Sequence, residues 1–147
     1  MTETTAIIQA RIGSTRLPGK VMYALDGTHT LAYVVKRVSK AETVDDTVVA
    51  TSTELSDDVI ERYASVAGAD VVRGSESDVL SRFHRAAKRY SSDVLVRVTA
   101  DCPLISPDTI NEVVHRLIKI DADYSTNIIE RAFPRGFYGL RGGYGVY

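Results

Sequence analysis

A single cysteine, Cys102, stands in 147 residues, so no intramolecular disulfide can form. That suits a reducing compartment, and the chain is expected in the cytoplasm. Neither charge is in surplus: 18 basic and 19 acidic residues leave a formal net charge of −1, which argues against a general nucleic-acid binder. No apolar run approaches the roughly 18 residues of a membrane span. The N-terminal MTETTAIIQ has no basic segment before its apolar part, so no secretory leader and no membrane partner are expected. His29, His84 and His115 lie far apart without ligand spacing, which speaks against a histidine-built metal cluster. Repeats and linkers are lacking too, and the length suits one domain with a sizeable core.

What is present is an alternation of strand and helix patterns. Residues 5–10, with the apolar run Ala6 to Ile8, read as a first strand, and residues 47–51 are a short β-branched run without polar alternation. Both fit strands covered on two faces. Residues 70–73 and 93–99 read as a third and fourth strand, and residues 124–126 as a fifth. Between them lie helix patterns. Residues 31–40 carry Val34, Val35 and Val38 on one face, with Thr30 as cap. Ser56 caps a second helix, whose stripe is Val59, Ile60, Tyr63, Ala64 and Ala67, ended by Gly68. Residues 78–90 place Val79, Leu80, Phe83, Ala86, Ala87 and Tyr90 inward. Ser106 and Pro107 open a last helix with Ile110, Val113, Val114, Leu117 and Ile118 buried. The expected fold is α/β, a mainly parallel sheet with helices on both faces. Residues 135–147 hold five Gly without a clear period and read as loop or disorder.

In such sheets ligands sit beyond the carboxyl ends of the strands. Chemistry-bearing residues gather there. The first strand runs into QARIGSTRLPGK, residues 9–20, with two Gly, two hydroxyl residues, two Arg and one Lys. Free backbone N–H groups, side-chain donors and positive charge together suit a polyphosphate. The loop is not a Walker A motif, because Val21 and not Ser or Thr follows Gly19-Lys20, and it is not a dinucleotide fingerprint. A merely solvated basic loop is the alternative. The second strand ends in Thr51 and Ser52, whose hydroxyls suit a base or sugar. The third ends in Arg73-Gly74. The fourth runs into Asp101-Cys102-Pro103-Leu104, where Asp101 either holds Mg²⁺ against phosphate oxygens or starts the turn before Pro103. Cys102 reads as a small residue beside the site. Lys36, Arg37 and Lys40 read as a solvated face, as do Arg82, Arg85, Lys88 and Arg89, with Arg82 able to turn toward the site.

Taken in order, IIQARIGSTRLPGK, VVATS, VVRGSESDVLSRF, VRVTADCPLISP and DYSTN with FPRG after it resemble the cytidylyltransferases of the spore-coat polysaccharide type. These are related to acylneuraminate and 3-deoxy-manno-octulosonate cytidylyltransferases. The resemblance implies a nucleotide-diphospho-sugar transferase (Rossmann-like) fold. It also implies CTP-dependent transfer of a cytidylyl group to a sugar or sugar acid, with Mg²⁺ and release of pyrophosphate. Arg11, Gly13, Ser14, Arg16 and Lys20 match the triphosphate loop, with Arg11 and Lys20 catalytic. Ala10, Thr51 and Arg73 match positions near cytosine and ribose, and Asp101 matches the catalytic, metal-binding carboxylate. Residues 1–136 would form the nucleotide-binding domain and residues 137–147 the tail.

The family's pattern continues past its Pro-Arg-Gly segment into a Leu-Asp-Val-Glu-like run and then segments that build an acceptor pocket and a dimer contact. Here Phe137-Tyr138-Gly139 follows Gly136, and no acidic residue follows Glu130. The expectation is a C-terminally truncated member, with a homodimer among its partners and an exposed apolar patch near the C-terminal strand. A nucleotide-binding fragment without full activity, or a transferase using another nucleoside triphosphate, is the alternative.

Overall fold

The computed structural model describes residues 2–127 and 145–146. In chain order the elements are β1 (Thr4–Gln9), β2 (Ala24–Leu25), β3 (Thr28–His29), α1 (Thr30–Val38), β4 (Asp46–Ser52), α2 (Asp58–Val66), β5 (Asp70–Gly74), α3 (Val79–Tyr90), β6 (Val94–Thr99), α4 (Pro107–Lys119), β7 (Ser125–Thr126) and β8 (Gly145–Val146). The main sheet has the order β5-β4-β1-β6-β8-β7. The pairs β5/β4, β4/β1 and β1/β6 are parallel. β8 runs antiparallel to both β6 and β7, so the sheet is mainly parallel with an antiparallel edge.

Period-two alternation in β1 decides which residue meets which layer. Ile8 joins Val49, Val96 and Val98 under α1, α2 and α4, beside Leu31, Val34, Ile60, Ile110 and Val114. Ile7, one residue earlier, faces the opposite way with Val48, Ala50 and Val72 toward Phe83 and Ala86 of α3. Ala6, Ile7 and Ile8 are all fully buried, which is why this run shows no polar alternation. Each Ile or Val so covered contributes about 1.5–3 kcal/mol. Among the described residues, three helices thus cover one face and a single helix the other.

Several local expectations are corrected. The second helix begins at Asp58, not behind a Ser56 cap. A 3₁₀ turn over Leu55–Asp57 comes first, and Ser56 is exposed. Thr30 is the first residue of α1 and not its cap. Its hydroxyl donates to the Tyr23 carbonyl at 3.0 Å. Leu80 is 79% exposed, while Arg82 takes the inward place beside Phe83 and Ala86. The helical period explains the exchange, since residues 79, 82, 83 and 86 share one arc and residue 80 lies about 100° from residue 79. Ile118 is half exposed, as are Ile120 and Tyr124 in the segment leading to β7. Arg37 is not simply solvated, because its Nε donates to the Ile105 carbonyl at 2.6 Å.

The β2–β3 hairpin is an addition. Its turn, Asp26-Gly27, has both residues at positive φ, 47° and 76°. Asp-Gly is the sequence signal for such a two-residue turn. The Gly-rich tail lies outside the described residues except for Gly145–Val146. That pair forms β8 where loop was expected, and it pairs with a β6 edge that would otherwise be open.

Candidate active site

The loop after β1 is held at three points. The Ala10 N–H donates to the Ala50 carbonyl at 3.1 Å, and the Gly19 N–H returns to the Ile12 carbonyl at 2.9 Å. Between them, Asp57 Oδ1 accepts the Ile12 N–H at 2.7 Å. The span from Gly13 to Arg16 is therefore pinned at its base and free at its tip. Among the described residues, the backbone N–H groups of Gly13, Ser14, Thr15 and Arg16 have no protein acceptor. Four backbone donors in succession are thus left for a ligand.

These residues line a cleft of about 220 Å³ together with Gln9, Arg11, Lys20, Thr99, Ala100 and Asp101. The strand register explains the meeting of residues so distant in sequence. Gln9 at the end of β1 is level with Thr99 at the end of β6, so the loops that follow face each other. Lys20 Nζ donates to Asp101 Oδ2 across the cleft. Half-burial pushes the Asp101 carboxyl up, but the Lys20 ammonium and the Thr99 hydroxyl more than offset it and hold it below its ordinary value. It is therefore ionised at neutral pH. Arg11 pairs with Glu76 at 3.7 Å.

Of the residues expected at the site, Arg11, Gly13, Ser14, Arg16, Lys20 and Asp101 meet around this cleft. Ala10 is buried behind it. Thr51 and Arg73 are placed differently. Thr51 is fully buried, and its hydroxyl has no partner among the described residues. Arg73 joins the end of β5 to α2: it pairs with Asp58 and Glu61, each at 2.7 Å, and donates to the Ser52 and Glu54 carbonyls. Its guanidinium is raised above its ordinary value, chiefly by the hydrogen bond to Asp58.

Two residues outside the expected set organise the site. Asp57, assigned from sequence only to a first helical turn, is buried to 1% exposure. Its second oxygen accepts the Ser52 hydroxyl, so one carboxylate ties the loop after β1 to the end of β4. Arg82, read as mostly solvated, is fully buried beneath the turn after β5. Its Nη1 donates to the Ser75 carbonyl at 2.9 Å, while Nε and Nη2 have no partner among the described residues. Burial pulls its guanidinium below the ordinary value, with Asp57 opposing. Its stem lies so close to Gly74 that a Cβ there would stand 2.9 Å from Arg82 Cγ. Neither role carries a local sequence signal, since each depends on partners brought together by the sheet.

A mainly parallel sheet with a donor-bearing loop facing a strand-end carboxylate is an α/β arrangement of the kind that takes ligands beyond its strand ends. The chain belongs to the cytidylyltransferase family, whose profile, described as Cytidylyltransferase, matches residues 5–134. It is 44% identical over 125 residues to an uncharacterized protein of Methanocaldococcus jannaschii, covering 84% of this chain and 51% of that one. It is 36% identical over 129 residues to the spore coat polysaccharide biosynthesis protein SpsF of Bacillus subtilis, covering 85% and 54%. Among solved structures, a cytidylyltransferase from Leptospira borgpetersenii superposes with a TM-score of 0.90 at 34% identity, over 100% of this chain and 60% of that one. The chain spans about half the length of the curated relatives it matches.

Proposed function

We propose that the chain acts in the transfer of a cytidylyl group from CTP to a sugar or sugar acid, with release of pyrophosphate, in the cytoplasmic synthesis of surface polysaccharide or glycan precursors. The observation that carries this reading is the row of free N–H groups at Gly13, Ser14, Thr15 and Arg16, opposite the Lys20–Asp101 pair. The donors would cradle the β- and γ-phosphates. An acceptor oxygen attacks the α-phosphorus, the bond to the β-phosphate oxygen breaks, and negative charge gathers on the departing pyrophosphate. Arg11, Arg16 and Lys20 would neutralise it, and phosphoryl transfer depends on such positioning and charge more than on covalent help. Thr51 and Arg73 are assigned to the base and ribose side, Arg73 through the carbonyls of Ser52 and Glu54 that it holds.

The donor set fits Mg²⁺ that arrives on the nucleotide. Asp101 is the carboxylate lining the cleft, and among the described residues no cluster of three His, Cys, Asp or Glu forms a ready cage. Magnesium takes one or two carboxylates plus phosphate oxygens and water. Asp101 would hold it, and Lys20, freed from its partner, would turn to phosphate. When bound, the ion polarises the phosphoryl oxygens.

Calorimetric titration with CTP, UTP, GTP and ATP, with and without Mg²⁺, tests the reading. The expected result is preference for CTP, with Mg²⁺ enhancement lost in Asp101→Asn. Equal affinity for all four removes the cytidine assignment. Pyrophosphate release from CTP and 3-deoxy-manno-octulosonate then separates transfer from binding alone.

A further inference from the structure

The connection from β5 to α3, residues 75–78, reaches the loop after β1 and is braced at several points. Beneath it, the buried Arg82 donates through Nη1 to the Ser75 carbonyl at 2.9 Å and the Glu76 carbonyl at 3.4 Å. Within it, the Asp78 N–H donates to the Ser75 hydroxyl at 3.2 Å. At its end, Asp78 caps α3 by accepting the Ser81 N–H at 2.9 Å. The backbone is thus fixed, and Glu76 is carried on it as an exposed side chain.

Glu76 meets the loop at its most donor-rich point. Its Oε1 lies 3.7 Å from Arg11 Nη1. The same oxygen rests against Gly13, where a Cβ would stand 3.3 Å from it. Gly13 is the first of the four residues whose N–H groups have no protein acceptor. Among the described residues, no other carboxylate lies within ion-pair distance of Arg11. Both side chains are half exposed, and exposed pairs add little to stability, so the fold does not need this contact. Asp57, the other carboxylate near this corner, is committed to Ile12 and Ser52. Glu76 is therefore the one free to swing away. Around it the charge is positive. Arg11 adds to the cost of keeping the buried Arg82 guanidinium charged, and Asp57 and Glu76 offset it.

We infer that Glu76 is a built-in competitor for the anion site of this loop. In the unliganded chain its carboxylate pairs with the arginine that a phosphate group would take, and an incoming polyphosphate displaces it. Rotation of the Glu76 side chain breaks no hydrogen bond of the connection, because Arg82 holds the backbone. When pyrophosphate leaves, the carboxylate returns to Arg11, so the competitor weakens product binding and speeds release. The inference deepens the proposed transfer and rests on the loop being the polyphosphate site.

The test is calorimetric titration of the full chain with inorganic pyrophosphate and, separately, with CTP. The parent is compared with Glu76→Gln and with Glu42→Gln, a charge control exposed before β4 at the amino ends of the strands. Glu76→Gln is expected to bind pyrophosphate about three- to tenfold more tightly at low salt, since one repelling charge and one competing pair are removed. The gain should shrink to less than about twofold at about 0.5 M salt, where screening acts within a few ångströms. Glu42→Gln should stay within about twofold of the parent throughout. A Glu76→Gln chain that binds pyrophosphate as the parent does, or more weakly, overturns the inference, the weaker result showing that Glu76 sets Arg11 in place for the ligand. An equal gain in Glu42→Gln overturns it too, by assigning the effect to net charge. Tighter pyrophosphate binding by Glu76→Gln, with CTP bound by neither chain, upholds the competitor and counts against the nucleotide site. Pyrophosphate bound by neither chain removes both.

Discussion

Replacing Asp57 by alanine tests how the loop from Gln9 to Lys20 is held. The side chain is almost wholly buried and accepts two hydrogen bonds, from the Ile12 N–H at 2.7 Å and from the Ser52 hydroxyl. Hydrogen bonds to a charged group are worth about 1.5–3 kcal/mol each. Because the two share one carboxylate they do not add fully, and a loss of about 3–5 kcal/mol is expected. Its negative charge also opposes the desolvation of Arg82, which acts in the same direction. Against a total of about 5–15 kcal/mol, this is a large fraction. Urea unfolding followed by far-ultraviolet circular dichroism reads it. With a slope of about 2 kcal/mol per molar, the midpoint should fall by about 1.5–2.5 M. CTP affinity should fall as well, because the Gly13–Arg16 donors lose their anchor at Ile12. Asp57→Asn keeps an acceptor for Ile12 and a polar partner for Ser52, so it should recover part of both losses. A midpoint within about 0.5 M of the parent, about 1 kcal/mol at that slope, together with unchanged CTP affinity, would refute the argument that this carboxylate holds the loop.

Lys20→Ala removes the ammonium that lines the cleft opposite Asp101 and should, if the proposed nucleotide site is right, weaken CTP binding by about 1.5–3 kcal/mol, roughly ten- to a hundredfold; calorimetry showing no change would return Lys20 to a solvated loop residue. Burial, then the hydrogen bond to Asp70, pushes the Tyr90 phenol up to about 12, whereas an unfolded tyrosine titrates near 10. The folded chain therefore keeps a proton that the unfolded chain has lost, so this contribution is full below about pH 10 and disappears as pH rises through 12. Melting curves across pH 9–12 should show a smaller decline for Tyr90→Phe than for the parent, and identical declines would contradict the shift. Ile8→Ala leaves a cavity between β1 and its helices where exposure is zero and should cost about 2–5 kcal/mol, a fall in Tm of about 5–15 °C; a smaller fall would mean that the layer closes around the gap.

The order of strands and helices, the two-faced burial of β1 and the loop from Gln9 to Lys20 are all legible in the sequence by itself, because each is written in neighbouring residues. A run without polar alternation, a helical stripe and a Gly-, Arg- and Lys-bearing loop are local patterns, and local patterns survive folding when the core agrees with them. The meeting of that loop with Asp101 is legible only through the rule that strand ends share one edge of a parallel sheet. What the tertiary structure alone decided is which polar groups the core would take in. Asp57 has the sequence setting of a helix start and is the clasp between two loops. Arg82 stands in a row of basic residues and is buried, while its neighbour Leu80 goes to the surface. Arg73 turns to α2, and Arg97 stands above Phe83 with no counter-ion among the described residues. These outcomes depend on distances between residues that are tens of positions apart in the chain. Electrostatics and close packing act through those distances, and no sequence window contains them.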